Sequence, residues 1–186
     1  MRISALSRIL AIIVISLLSV FQIRAQRTML GQKIVSVSAG YNFSGFGANA
    51  AFGGCTMYGH WLTELSGDLY KHPLSSGNLL EYGQVILSGN YMAAIIRTRS
   101  RNLNIYGGGG VFLGYEAVDP FHHLPKLIET GLEEGYFLYG ILAGLDYEVF
   151  ITRKIAIILS GRFPLNFSSR LDRLHYQATI GLRIML

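Results

Sequence analysis

The chain has 186 residues, enough for one domain of ordinary size and short for two. Charged residues make up 15% of it and apolar residues 51%, whereas soluble domains carry roughly a quarter charged residues, so a surface wholly in water is not well supplied. The formal net charge is +5, but the one cation cluster, Arg97-Thr98-Arg99-Ser100-Arg101, reads as a solvated turn between two strands, and no direct nucleic-acid binding is expected.

Taken from the start, Arg2 and Arg8 precede an apolar run from Ile9 to Phe21, and the small residue Ala25 follows. This is the layout of a secretory signal peptide, residues 1–25, with cleavage expected between Ala25 and Gln26. The run is about 13 residues, too short to span the roughly 30 Å hydrocarbon layer comfortably as a helix. Its removal takes away Arg2, Arg8 and Arg24 and no acid, lowering the charge of +5 by three. The expected organisation is therefore a signal peptide, 1–25, and a single domain, 26–186. No Cys follows the apolar run to carry a lipid anchor, and Cys55, alone in the chain, offers neither an intramolecular disulfide nor a Cys-ligated metal.

From residue 33 onward the recurring signal is alternation with period two, the signature of a strand with unlike faces. In Lys33–Asn42, Val35, Val37, Ala39 and Tyr41 oppose Ile34, Ser36, Ser38, Gly40 and Asn42. A glycine-rich strand is expected over Phe46–Met57. In Trp61–His72, Trp61, Thr63, Leu65, Gly67 and Leu69 oppose Leu62, Glu64, Ser66, Asp68 and Tyr70. Gly83–Ile96 is softer, with Val85, Leu87, Tyr91 and Ile95 against Gln84, Ser88 and Asn90. Leu103, Ile105, Val111, Leu113 and Tyr115 then oppose Asn104, Tyr106, Phe112 and Glu116. The segment starting at Tyr136 sets Phe137, Tyr139, Ile141, Ala143, Leu145, Tyr147 and Val149 against a mixed set that ends in Asp146 and Glu148. A membrane helix would carry those carboxylates into lipid at considerable cost. A strand over Ile155–Pro164 and the last alternating stretch, with Tyr176, Ala178, Ile180, Leu182, Ile184 and Leu186 on its oily face, complete eight.

Such strands match the 9 to 11 residues that a tilted membrane-spanning strand requires. The connections alternate as well. Tyr58–His60, Arg97–Asn102 and Ile151–Arg153 are short, while Pro73–Tyr82, Ala117–Glu134 and Leu165–Arg173 are longer; only the first connection of the long set, near Ser44, is short. Tight turns at one end and longer loops at the other are the habit of outer-membrane barrels. A soluble sandwich would show Lys and Glu on the non-oily face, where this chain has Gly, Ser, Asn, Gln and Thr. Tyr41, Trp61, Tyr115, Tyr136 and Tyr147 lie where interfacial girdles are expected. The fold class predicted is all-β, an eight-stranded antiparallel outer-membrane β-barrel after an N-terminal signal peptide. Its location is then the outer membrane and its first partner outer-membrane lipid.

The inward face collects Glu64, Asp68, Glu116, Asp146, Glu148, Arg162 and Arg183, predicted to form a lumen charge network because a narrow barrel forces such charges to pair. Neither a catalytic nor a metal site is expected, and no cofactor. Gly107–Gly110 lacks the Lys-Ser/Thr of a phosphate loop and falls within a strand, where it marks close backbone approach or a bend. His122 and His123, beside Asp119 and Glu116 in the longest loop, offer metal-ligand types, but without a second His cluster they read as a solvated loop. His175 with Ser168 or Ser169 is the one local arrangement that a rim-active lipid enzyme could use.

The stretches GGGGVFLGYEAVDP and YGILAGLDYEVFITRKIAIILSGR, together with the final strand LHYQATIGLRI, resemble the TraO-type conjugal transfer proteins of Bacteroides-type conjugative transposons. The resemblance covers most of residues 26–186 and includes no catalytic motif. It implies a small non-enzymatic envelope protein of a conjugative DNA-transfer apparatus, acting with other conjugal transfer proteins. The other reading is a small outer-membrane barrel unrelated to conjugation, a surface interaction protein or a lipid-modifying enzyme. Leu186 stands where outer-membrane barrels generally end in an aromatic residue.

Overall fold

The computed structural model describes residues 30–42, 44–73, 79–98, 103–118, 135–168 and 176–186. Eight strands run in chain order: β1 (Lys33–Asn42), β2 (Gly45–Cys55), β3 (Gly59–Pro73), β4 (Leu79–Arg97), β5 (Leu103–Val118), β6 (Gly135–Phe150), β7 (Ile155–Asn166) and β8 (Gln177–Met185). Each pairs antiparallel with its neighbours in sequence, and β1 pairs with β8 to close a barrel. The register does not return to its starting level. From Met185 the ladder leads through Ile34, Gly53, Leu62, Asn90, Gly110 and Leu142 to Pro164, beyond the residues that β8 pairs. That stagger is what tilts the strands of a closed barrel against its axis.

Alternation decides which side of the wall each residue faces. Along β6, Phe137, Tyr139, Ile141, Ala143, Leu145 and Tyr147 are exposed, while Tyr136, Leu138, Asp146 and Glu148 are buried. β8 repeats the arrangement, with Ala178, Ile180, Leu182 and Ile184 outside and Gln177, Thr179, Arg183 and Met185 inside. The result inverts a soluble protein. Val111 is 65% exposed, Phe137 and Ile180 62% each, whereas Glu116, Asp146 and Glu148 have no exposure. A continuous apolar exterior of this extent would associate in water and is matched by hydrocarbon.

The three short turns share one device. Thr56 Oγ1 accepts from Gly59 N–H at 3.1 Å. Thr98 Oγ1 donates to Leu103 O at 2.9 Å and accepts from Leu103 N–H at 3.3 Å. Thr152 Oγ1 accepts from the N–H groups of Lys154 and Ile155 at 3.2 and 3.0 Å. A hydroxyl thus satisfies backbone groups that the end of each ladder leaves over, as Thr does in local turns.

Several strand bounds differ from those expected. β3 and β4 continue to Pro73 paired with Leu79, so much of the expected long connection Pro73–Tyr82 is ladder. Hydrogen bonding continues there after the lipid-imposed alternation has stopped, which is why the residue pattern gave no sign of it. β4, at 19 residues, also contains a bulge between Ala94 and Ile96 that leaves both Ile95 and Ile96 exposed. Tyr136, expected in the aromatic girdle, is buried in the lumen because it is in phase with Leu138. Tyr41, Trp61, Tyr115 and Tyr147 are on the exterior. The Gly107–Gly110 run lies within β5: a Cβ on Gly108 would fall on the carbonyl oxygen of Tyr91, and one on Gly110 on that of Gly89. Only glycine permits the approach of β4 and β5 at that level.

Candidate functional site

The inward side chains form layers along the barrel. At the end with the short turns, Ile34, Leu62, Met92, Tyr106, Phe150 and Met185 pack into an apolar floor, together with the buried free thiol Cys55. Above it lies an ion-pair network drawn from four strands. Asp146 on β6 accepts from Arg162 Nη1 at 2.5 Å through Oδ1 and from Arg183 Nη2 at 2.8 Å through Oδ2. Arg162 on β7 also donates through Nε and Nη2 to Glu64 Oε2 on β3, at 3.3 and 3.2 Å. Arg183 on β8 reaches Glu148 Oε1 at 3.4 Å, and Asn104 donates to the other oxygen of Glu148 at 3.3 Å. The two guanidiniums are surrounded by three carboxylates, all within the barrel wall. In so confined a space each charge is held by its partners, since an isolated buried ion would cost several kcal/mol.

Of the seven residues expected in the lumen network, five meet in this cluster: Glu64, Asp146, Glu148, Arg162 and Arg183. Asp68 and Glu116 are buried nearer the loop end and take amides as partners. Asp68 Oδ1 accepts from Asn42 Nδ2 and Gln177 Nε2, each at 2.8 Å. Gln84 Nε2 donates to Glu116 Oε2 at 2.6 Å. Beside them Tyr70 and Tyr82 stack with ring centroids 4.9 Å apart. A cavity of about 30 Å³, near the volume of one water, lies among Glu64, Asp68, Ser88, Arg162 and Gln177.

One member of the cluster was missed. His60 is buried, with Nε2 3.4 Å from Arg183 Nη1 and 3.8 Å from Asp146 Oδ2, and its ring meets Tyr106 edge-on at 4.5 Å. The short connection expected over Tyr58–His60 puts it in the turn before Trp61. Beginning the strand at Gly59 puts His60 in phase with Leu62 and Glu64, and that extension was the available signal.

The other candidates do not come together as a reaction centre. Ser168 Oγ donates to Phe137 O at 2.8 Å and accepts from Tyr139 N–H at 3.3 Å, prolonging the β6–β7 ladder. Asp119, His122, His123, Ser169 and His175 lie outside the described residues, as do Arg99 to Arg101. Among the described residues no group of three His, Cys, Asp or Glu side chains could hold a metal ion. Cys55 stands opposite His60 in the β2–β3 register, but both are buried. What the lumen does chemically is hold two guanidiniums among three carboxylates, cap two further carboxylates with amides, and fill the barrel.

Solved structures of similar shape are outer-membrane barrels. Neisserial surface protein A matches with a TM-score of 0.57 at 15% identity, over 84% of this chain and 97% of that one. OprG of Pseudomonas aeruginosa matches at 0.57 and 9% identity, over 88% of this chain and 100% of that one. The N-terminal β-barrel domain of Pseudomonas aeruginosa OprF matches at 0.56 and 10% identity, over 84% and 98%. At these identities the likeness is one of fold. No curated protein matches. The family model described as conjugative transposon protein TraO matches residues 69–186, from β3 to the end of β8 and so through most of the barrel wall. The chain belongs to the TraO family of conjugative transposon proteins.

Proposed function

We propose that the protein is an outer-membrane β-barrel component of a conjugative DNA-transfer apparatus, exported through residues 1–25 and acting without catalysis as a docking element for other transfer proteins. The observation that carries this reading is the filled lumen of a TraO-family barrel. With two guanidiniums held by three carboxylates above an apolar floor, the described lumen is lined by packed side chains, and on this reading the exposed ends of the barrel do the work. Loops and turns on a rigid scaffold are where binding surfaces usually lie. Membership of the family supports conjugation as the process, and the fold supports the outer membrane as the location.

The test is mating frequency from a donor in which the outer-membrane level of the protein is checked by blotting. Deletion of the gene is expected to abolish or sharply reduce transfer of the element. His175→Ala and Ser168→Ala should leave transfer near normal, and shortening the connection Ala117–Glu134 should impair it at a normal protein level. A normal frequency in the deletion strain would remove the conjugation role. Loss of transfer on His175→Ala, with protein level unchanged, would point to an enzyme at the rim.

A further inference from the structure

Two carboxylates of the lumen each have one oxygen doubly engaged and the other without a donor. Glu64 Oε2 takes both bonds from Arg162, at 3.3 and 3.2 Å, and Asp68 Oδ1 takes both amide bonds, from Asn42 and Gln177 at 2.8 Å each. Among the described residues none donates to Glu64 Oε1 or Asp68 Oδ2. Each residue is 5% exposed. A carboxylate oxygen so placed has lost its hydration without replacing it, which folded interiors rarely leave uncorrected. Both residues line the cavity of about 30 Å³, together with Ser66, Ser88, Arg162 and Gln177. We propose that this cavity is a binding site for one buried water, which accepts from the Ser88 hydroxyl and donates to Glu64 Oε1 and Asp68 Oδ2. It would join the ion-pair cluster to the amide-held carboxylate nearer the loops, whatever the role of the barrel in transfer.

Register brings the parts of this site together from opposite walls. Glu64 and Ser88 are partners on β3 and β4, and Arg162 and Gln177 are partners on β7 and β8. A volume of about 30 Å³ exceeds the roughly 10–15 Å³ that one water needs. Ser88 Oγ already accepts from Asn90 Nδ2 at 2.9 Å, which leaves its own proton to be donated. One donor and two acceptors then give the water about three hydrogen bonds, the usual complement of a buried water. Through Glu64 it reaches Arg162, and through Asp68 it reaches Gln177, so that four strands share it. The same lining argues against other occupants. A cation would face the Arg162 guanidinium across this small space, and an anion would face two carboxylates. A proton shared by Glu64 and Asp68 would need their oxygens in contact, whereas the cavity stands among them. A dry cavity suits an apolar lining, and here charged and hydroxyl-bearing residues predominate.

Crystals of the protein purified in detergent test this directly. Density for one water is expected in the cavity, about 2.5–3.0 Å from Ser88 Oγ, Glu64 Oε1 and Asp68 Oδ2. A cavity without density overturns the inference. So does anomalous scattering at that point after a rubidium chloride soak, which would mark a cation. A second measurement uses Ser66→Val, which adds methyl groups to the lining and removes no hydrogen bond between described side chains. Displacing the water strips both carboxylate oxygens of their donor, so this variant is expected to lose the density and to unfold at lower urea than the unmodified protein, as followed by loss of the folded gel band. Filling a dry cavity would instead raise the midpoint, and that result also overturns the inference. Ser66→Ala, which adds no volume, should keep both the density and the midpoint. If Ser66→Val does not fold, the density in the unmodified protein decides alone.

Discussion

Asp146 takes a different arginine on each of its carboxylate oxygens, whereas Glu148 shares Arg183 at the longer distance of 3.4 Å. Removing the charge of Asp146 leaves two buried guanidiniums short of an anion, and breaking a buried pair in this way costs about 3–5 kcal/mol. Asp146→Asn is therefore expected to unfold at markedly lower urea concentration in detergent than Glu148→Gln, as followed by the loss of the folded gel band. Equal midpoints would show that the arginines repartition freely among the three carboxylates. The same geometry disqualifies Asp146→Asn as a neutral control in mating experiments, because it weakens the barrel itself. Period two in the sequence placed the charges inside. Which ones would touch depended on tilt and register, quantities that no single strand contains. Glu64 and Arg162 are 98 residues apart in the chain and meet only because the closed wall brings β3 across from β7.

At the scale of the strand, facing sets the cost of a substitution. Ile141 on β6 and Ile180 on β8 point outward from the middle of the wall. Ile141→Arg or Ile180→Arg is expected to destabilise the barrel in a bilayer by about 2–4 kcal/mol, as arginine does on the lipid face near the midplane. Gln177→Arg, placed inward beside Asp68, should cost less, because a carboxylate already lies within reach. Unfolding in liposomes at graded urea measures all three, and equal costs would mean that the wall has been turned inside out. Strand centres were legible from the sequence because lipid enforces alternation on them. Strand ends were not, as the extended β3–β4 ladder and the misplaced His60 show, because beyond the lipid any residue can join a ladder.

For the whole molecule, the apolar exterior requires a hydrocarbon environment, and the described inward side chains pack across the barrel at its short-turn end. The protein is expected to fold only in detergent or lipid, with β-type circular dichroism and a heat-modifiable band. A monomeric, buffer-soluble domain would rule out the barrel as a membrane protein. In planar bilayers it should add no conductance to the bare membrane, since Leu62, Met92, Phe150 and Met185 close one end beneath the paired charges. Steady single-channel currents from the purified protein would contradict the sealed lumen and reopen transport as a function.

The strand count, the antiparallel order and the two faces of each strand were determined by the sequence alone, through a period-two pattern that records contact with lipid on one side and a polar lumen on the other. The closure of β1 on β8, the stagger of the register, and the division of the inward charges into an ion-pair cluster and two amide-held carboxylates were decided by the tertiary structure. The physical reason is that periodicity is local and survives in any strand taken by itself. Partners across a barrel are set by shear, and shear is a property of the closed wall.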